Sequence, residues 1–435
     1  MTCRKFASVF APSFTLAVLL VLASAGIAQT GTAADQSPAL SQTALTKTIF
    51  HFSDGGDDRP GRMTVDAAGN FYISAALNST ANVSGFAVLK YSSVGTLLGT
   101  FRYKLLPGEF GGAAHSVKVD KQNNIYSVGT TSLGGVVVSF TSAGAQRWIA
   151  RFDHEPIALA VDPSGNIYVA GNGNAGGSDG VGPVLNWLVV KYSNTGKVLW
   201  EQRHTGAAGQ DSKVRDIQLD PSENPIVFGT TSNNPRILTN NMTVAKLNPD
   251  GDVLWAKDSS VPHNSLIPGG FAIDARGNVY ATGMTNPPEG VATPFTVKYN
   301  ATGVLQFTLQ GNGAGGSSVA IDPAGDILLT GATSSFGTPG FVSATKVHPT
   351  GKAVWVTQIP ATGIIVSDSA GNALVAGFDF EITKLSSTGK ILFSSSILPQ
   401  DSATDAVIDP SGNLLVTGFG QNAQFSDDIF TVKLK

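Results

Sequence analysis

The stretch Val161-Asp162-Pro163-Ser164-Gly165-Asn166-Ile167-Tyr168-Val169-Ala170-Gly171 decides how this chain folds. It returns near the C-terminus as Ile408-Asp409-Pro410-Ser411-Gly412-Asn413-Leu414-Leu415-Val416-Thr417-Gly418. In each copy an Asp opens a turn and can accept hydrogen bonds from the backbone N–H groups just after it. Pro presets φ at the next position, and Gly takes the left-handed one. The flanks are rich in β-formers, so the phrase predicts a hairpin of two strands, A and B. The opening Asp recurs at Asp66, Asp120, Asp162, Asp220, Asp274, Asp322, Asp368 and Asp409, with a mean spacing of 49 residues. A constant period of this size marks a repeat architecture.

A second phrase comes after the first. Its best copy is Val190-Lys191-Tyr192-Ser193-Asn194-Thr195-Gly196-Lys197-Val198-Leu199-Trp200, with relatives at Lys246 to Trp255, Lys298 to Phe307, Lys346 to Trp355 and Lys384 to Phe393. It predicts strands C and D, again joined at a Gly. An aromatic recurs four residues after that Gly, at Trp148, Trp200, Trp255, Phe307, Trp355 and Phe393. A large ring repeated at one strand position suits a seam between neighbouring sheets.

Four short strands per period, without helical periodicity, predict an all-β chain forming a single β-propeller of four-stranded antiparallel blades. Eight A–B hairpins and eight C strands are present, but only seven D strands. The eighth is expected from the other end of the chain: Thr46-Lys47-Thr48-Ile49-Phe50-His51-Phe52 would pair beside residues 429–434 and close the ring. Closure removes an unpaired sheet edge that would invite aggregation.

The first 28 residues read as a secretory signal. Arg4 and Lys5 precede an apolar run, and small residues end at Ala28. Residues 29–44 read as a flexible lead-in and 45–435 as the propeller. The expected location is therefore secreted, periplasmic or cell-envelope, with no membrane insertion after signal removal. The only cysteine, Cys3, leaves with the signal, which excludes disulfides and thiolate chemistry. The formal net charge is −3, and no basic cluster exists, so a nucleic-acid partner is not expected. The chain reads as a monomer.

Strings that match catalytic or cofactor patterns lack the right context. Gly171-Asn172-Gly173-Asn174-Ala175-Gly176 fits the dinucleotide pattern, but the glycine-rich segment from Gly177 to Pro183 cannot form the helix that pattern needs. Gly176-Gly177-Ser178-Asp179-Gly180 fits a nucleophile elbow and likewise sits among glycines. No two histidines have metal-ligand spacing. The turn Asps read as turn residues rather than calcium ligands. Asp54, Asp57 and Asp58 among glycines are the one acidic loop that could hold a cation, but they read first as a solvated loop, and no metal is expected. The lysines that end strand C read as a consensus at a solvated strand end that can pair with a neighbouring blade.

The A–B and C–D turns are short and stereotyped. The B–C and D–A connections, among them 104–115 and 172–186, are long and varied, and function sits preferentially on such loops. Tyr103, Glu109, His204, Asp211 and His263 are the candidate ligand-binding residues of this rim. The reading is a binding or protein-interaction scaffold for a protein or carbohydrate ligand, without a cofactor. The alternative is a lyase or hydrolase using His204, His263 and Asp211 at the channel mouth.

The phrase Asp162 to Gly171, with upstream elements such as Gly56-Asp57-Asp58, resembles the bacterial SBBP beta-propeller repeat family and is similar to NHL-type propellers. The resemblance implies a secreted or surface protein of unassigned activity, and the family name implies seven blades where the repeats here number eight. Asn194 to Trp200 is similar to the repeats of pyrroloquinoline-quinone propellers, which have eight blades. The adjacent cysteines typical of those enzymes are absent from the mature chain.

Overall fold

The computed structural model describes residues 46–435, except 79–81, 179–182, 205–211, 233–239, 260–264, 287–290, 333–339, 341, 399–400 and 422–425. The described residues form eight four-stranded sheets, each antiparallel throughout. Seven blades run consecutively: 59–102, 113–152, 155–204, 212–259, 265–310, 318–358 and 363–396. The eighth joins Ser402–Ile408, Leu414–Gln421 and Asp427–Leu434 to the N-terminal strand Lys47–Phe52. That strand pairs from Lys47↔Leu434 to Phe52↔Ile429, so the chain's two ends close the ring as expected. Strand A of each blade touches strand A of the next, and the eighth touches the first, so the A strands line a central channel.

The core is divided in the same way. Eight hydrophobic clusters lie between successive blades, and each draws residues from both sides of one seam. Burial therefore stabilises blade pairs rather than blades, as expected for a repeat fold.

Polar groups knit each seam at the short-turn rim. In blade 1, Asp66 accepts hydrogen bonds from the backbone N–H groups of Ala68 and Asn70, the Asn70 amide and the Tyr72 hydroxyl. The strand-C lysine then reaches the C–D turn of the next blade. Lys90, Lys191, Lys246 and Lys298 donate to the carbonyls of Ser142, Pro249, Ala301 and Pro349 at 2.6–3.1 Å. Lys433 donates to Ser93 of blade 1 at 2.7 Å, across the closure. The expected solvated strand end is thus corrected. Lys346 is buried against Asp322 and Asp326 of its own blade, and Lys246, Lys298 and Lys433 are buried because the next blade's turn covers the ammonium. The expected pairing with a neighbouring blade is what buries these three.

How each lysine charge is balanced depends on one position, six residues after the turn Asp. Where that residue is aliphatic (Ile226, Leu328, Leu374, Leu415), the lysine pairs with the Asp directly: Lys246–Asp220, Lys346–Asp322, Lys384–Asp368 and Lys433–Asp409, at 2.6–3.2 Å. Where it is tyrosine and a lysine is present, the ammonium lies over the ring instead: Lys90 on Tyr72, Lys191 on Tyr168 and Lys298 on Tyr280, 4.7–5.5 Å from the centroid. In blade 2 the lysine position is Ser139, and Arg147 from strand D covers Tyr126 in its place.

The strand-D aromatics dock on the same turns. Trp148, Trp200, Trp255 and Trp355 donate their indole N–H to the carbonyls of Asn194, Pro249, Ala301 and Ser387. The turn glycine of the next blade lies flat on each ring. A Cβ at Gly251 would come 2.8 Å from Trp200, and φ there is +96°. Two docking rings do not fit the sequence spacing. Phe101 reaches back over Gly99 to cover Gly144, and Phe50 of the N-terminal strand covers Gly95. Closure therefore reproduces the seam and not only the strand pairing.

One expected loop is a strand pair. The connection 172–186 continues strands B and C of blade 3 as Ile167–Ser178 and Pro183–Tyr192, paired as far as Ser178↔Pro183. Backbone pairing requires no side chains, so glycine-rich sequence does not prevent it.

Phe50 also packs against Phe71 and Tyr91, with ring centroids 5.9 and 6.3 Å away. F50A is expected to cost about 2 kcal/mol, since the ring is half-buried, and to lower the thermal midpoint by about 2–3 °C. An unchanged midpoint would show that the N-terminal strand does not close the ring.

Candidate functional site

On the variable rim the structure joins two of the candidates. Glu109 lies in the connection between blades 1 and 2, with its carboxylate fully buried. It accepts hydrogen bonds from the Tyr103 hydroxyl at 2.8 Å, the Leu106 backbone N–H at 2.9 Å, the Thr131 hydroxyl and the Arg151 guanidinium at 2.9 Å. Burial opposes the charge, but these donors outweigh it and hold the Glu109 carboxyl at about 2. Burial and the neighbouring carboxylate push Tyr103 up to about 12. The knot fixes the whole connection. Phe110 exchanges bonds with Ser132, its N–H to the Ser132 hydroxyl and its carbonyl to the Ser132 N–H. Gly111 accepts from Gly85 and Ser84. On this rigid base Phe110 stands 63% exposed and Leu133 55% exposed.

The other candidates are not gathered into one place. His204 lies beside Trp187, with ring centroids 5.5 Å apart, and burial lowers its pKa while Asp258 partly offsets the effect. Asp211 and His263 lie outside the described residues. His115 meets the Pro156 carbonyl across the seam between blades 2 and 3. Asp54 pairs with Arg102. Asp57 accepts from the Asp427 N–H. Asp58 is buried and accepts from the N–H groups of Asp54 and Asn78, with burial raising its pKa against those bonds. Among the described residues no group of three or more His, Cys, Asp or Glu is placed to hold a metal ion.

Sequence reading missed the channel. Six A strands carry a register shift at the same height, beside Arg62, His115, Ile157, Arg215, Gly269 and Thr404. Bulges of this kind redirect side chains. Arg62 of blade 1 pairs with Asp216 of blade 4 and donates to the Arg215 carbonyl at 3.0 Å. Asp405 of blade 8 accepts from the Met63 N–H at 2.7 Å, and burial raises its pKa. The only local signal was charge at a position, four residues before the turn Asp, that is mostly small or apolar elsewhere. A cavity of about 710 Å³ lies on the short-turn rim at the seam of blades 5 and 6. There Phe307 takes the place that Trp fills at four other seams.

Residues 155–177 match the family model for the SBBP beta-propeller repeat. The chain is a β-propeller in which one blade carries an SBBP-type repeat. The matched segment covers strands A and B of blade 3 and the turn at Asp162 between them, the same phrase from which the repeat was read. Among curated proteins no sequence matches this chain. Solved structures do resemble it. The Dos1 propeller is similar at 10% identity over 88% of this chain and 94% of its own, with a TM-score of 0.58. Saccharomyces cerevisiae Sqt1 is similar at 10% identity over 87% and 97%, with a TM-score of 0.57. Virginiamycin B lyase from Staphylococcus aureus matches at 11% identity over 90% and 100%, with a TM-score of 0.48. At these identities the likeness is one of fold, and it brings no chemistry with it.

The Glu109 knot makes acid sensitivity predictable. Its carboxyl titrates near 2 in the folded protein, against 4.5 ordinarily. Its contribution is therefore present above the unfolded value and lost as pH falls through the folded one. The melting midpoint of E109Q is expected to lie below that of the unsubstituted protein at pH 7. The gap should narrow as pH falls from about 5 to about 2. A gap that stays constant over this range would contradict the assignment.

Proposed function

We propose that this chain is an extracytoplasmic binding scaffold that engages a protein partner through the rim carrying the B–C and D–A connections. The observation that carries this reading is the apolar pair Phe110 and Leu133. Both are largely exposed, and both sit on a connection locked by the buried Glu109. A large ring held in place before binding loses little side-chain freedom on contact, and such aromatic anchors dominate interface energetics. The fully satisfied Glu109 supports a positioning role, since its oxygens already accept four donors from the chain itself. A closed ring with eight independent seams suits a platform whose connections vary without disturbing the core.

The test compares the chain with F110A/L133S, made on the variable rim, and with L199S, made on an exposed strand-D residue of the opposite half. Each is used as bait in cross-linking on the native envelope or secreted fraction, with the thermal midpoint measured in parallel. The reading expects captured partners to be lost at least tenfold in F110A/L133S, to persist in L199S, and the midpoint to hold in both. Partners lost with L199S and kept with F110A/L133S would overturn it.

A further inference from the structure

The central channel holds positive charge that its own residues leave unbalanced. Arg62, Lys118, Arg215, Asp216 and Asp405 surround one cavity of about 630 Å³. Asp216 is committed to Arg62, and Asp405 accepts the N–H groups of Met63 and Ala406. Arg215 reaches the Gly269 carbonyl at 3.4 Å, with Arg62 as a like-charged neighbour. The Lys118 ammonium makes no hydrogen bond or ion pair among the described residues, although its charge acts on Asp405. Three cations thus face two carboxylates, and two of the three cations have no anionic partner in hydrogen-bond contact.

The remaining wall leaves room for a ligand. Gly270, Gly363 and Gly377 present backbone without side chains, and Ser318 and Thr362 add hydroxyls. Phe378 also lines the cavity and is 60% exposed. It stands in the short B–C connection 378–380 of blade 7. There two consecutive non-glycine residues, Asp379 and Phe380, hold φ of +59° and +41°. L-residues rarely adopt this region, and it is retained where surrounding structure imposes it. Here it buries Phe380 completely while leaving Phe378 exposed to the channel.

We propose that the channel binds an acidic sugar, with Lys118 and Arg215 holding its carboxylate and Phe378 covering the apolar face of the ring. A guanidinium and an ammonium that line one cavity suit a planar oxyanion. An apolar platform with a few convergent polar groups, in a volume of several hundred Å³, suits a small ligand. The site is separate from the Phe110 rim patch and does not depend on it.

Isothermal titration calorimetry on the full chain tests this, using sodium glucuronate, glucose and sodium sulfate at constant ionic strength. Glucuronate should bind, and glucose and sulfate should each bind at least tenfold more weakly. K118Q, R215Q and F378A should each weaken glucuronate binding at least tenfold without moving the thermal midpoint. K118Q and F378A remove no hydrogen bond of the ring, so a loss in either is a loss of ligand contact. Absence of glucuronate binding overturns the proposal. Glucose binding as tightly as glucuronate removes the role of charge, and sulfate binding as tightly removes the role of the sugar. Variants that bind like the unsubstituted chain overturn it as well.

Discussion

The ring depends on one shared contact, each C–D turn held by the blade before it, with Lys433 and Phe50 of the closing blade holding that of blade 1. A strand-C lysine and a strand-D indole reach for the same carbonyl. At Pro249 these are Lys191 and Trp200, and at Ala301 they are Lys246 and Trp255. The turn Asp makes this burial tolerable. It already receives its own turn's N–H groups and the Asn side chain, and it then either pairs with the lysine or passes that task to a tyrosine ring. Burial alone would raise the carboxyl pKa of Asp220, Asp274, Asp368 and Asp409, but the donors hold each below its ordinary value. The lysines report the same division. Lys346, paired with Asp322 and Asp326, is raised, and Lys298, set over Tyr280, is lowered by burial.

Much of the fold was legible because its determinants are local. The Asp that opens each A–B turn, the left-handed residue (Gly in six of the eight) and the residue after it act within five residues, and the strand-D aromatic mostly stands at a constant distance from its turn Gly. A missing D strand at one end and a spare strand at the other predicted closure, and Phe50 on Gly95 completes it. The choice between ion pair and ring was not legible, since it needs register. Tyr72 and Lys90 lie 18 residues apart and meet only because strands B and C set them opposite one another. Phe101 escaped for a different reason: Gly99 occupies the expected aromatic position and leaves space for the ring to fold back.

The site was less legible than the fold. Tyr103 and Glu109 were singled out by their place on a variable connection, and they do meet. Their four-donor knot depends on Thr131 and Arg151 from the next blade. Arg62 and Asp216 are 154 residues apart and meet only because the ring returns their A strands to one channel. The channel charge arises from closure, which no single repeat encodes.

The most direct measurement compares the thermal midpoints of K246M and K298M. Both remove a buried lysine that holds the next blade's turn, but only K246M leaves a buried carboxylate, Asp220, without its cation. Asp274 keeps its bond from Tyr280 at 3.1 Å. The account predicts a loss of roughly 3 kcal/mol for K246M and about 1 kcal/mol for K298M. Equal losses, or a larger loss for K298M, would contradict it.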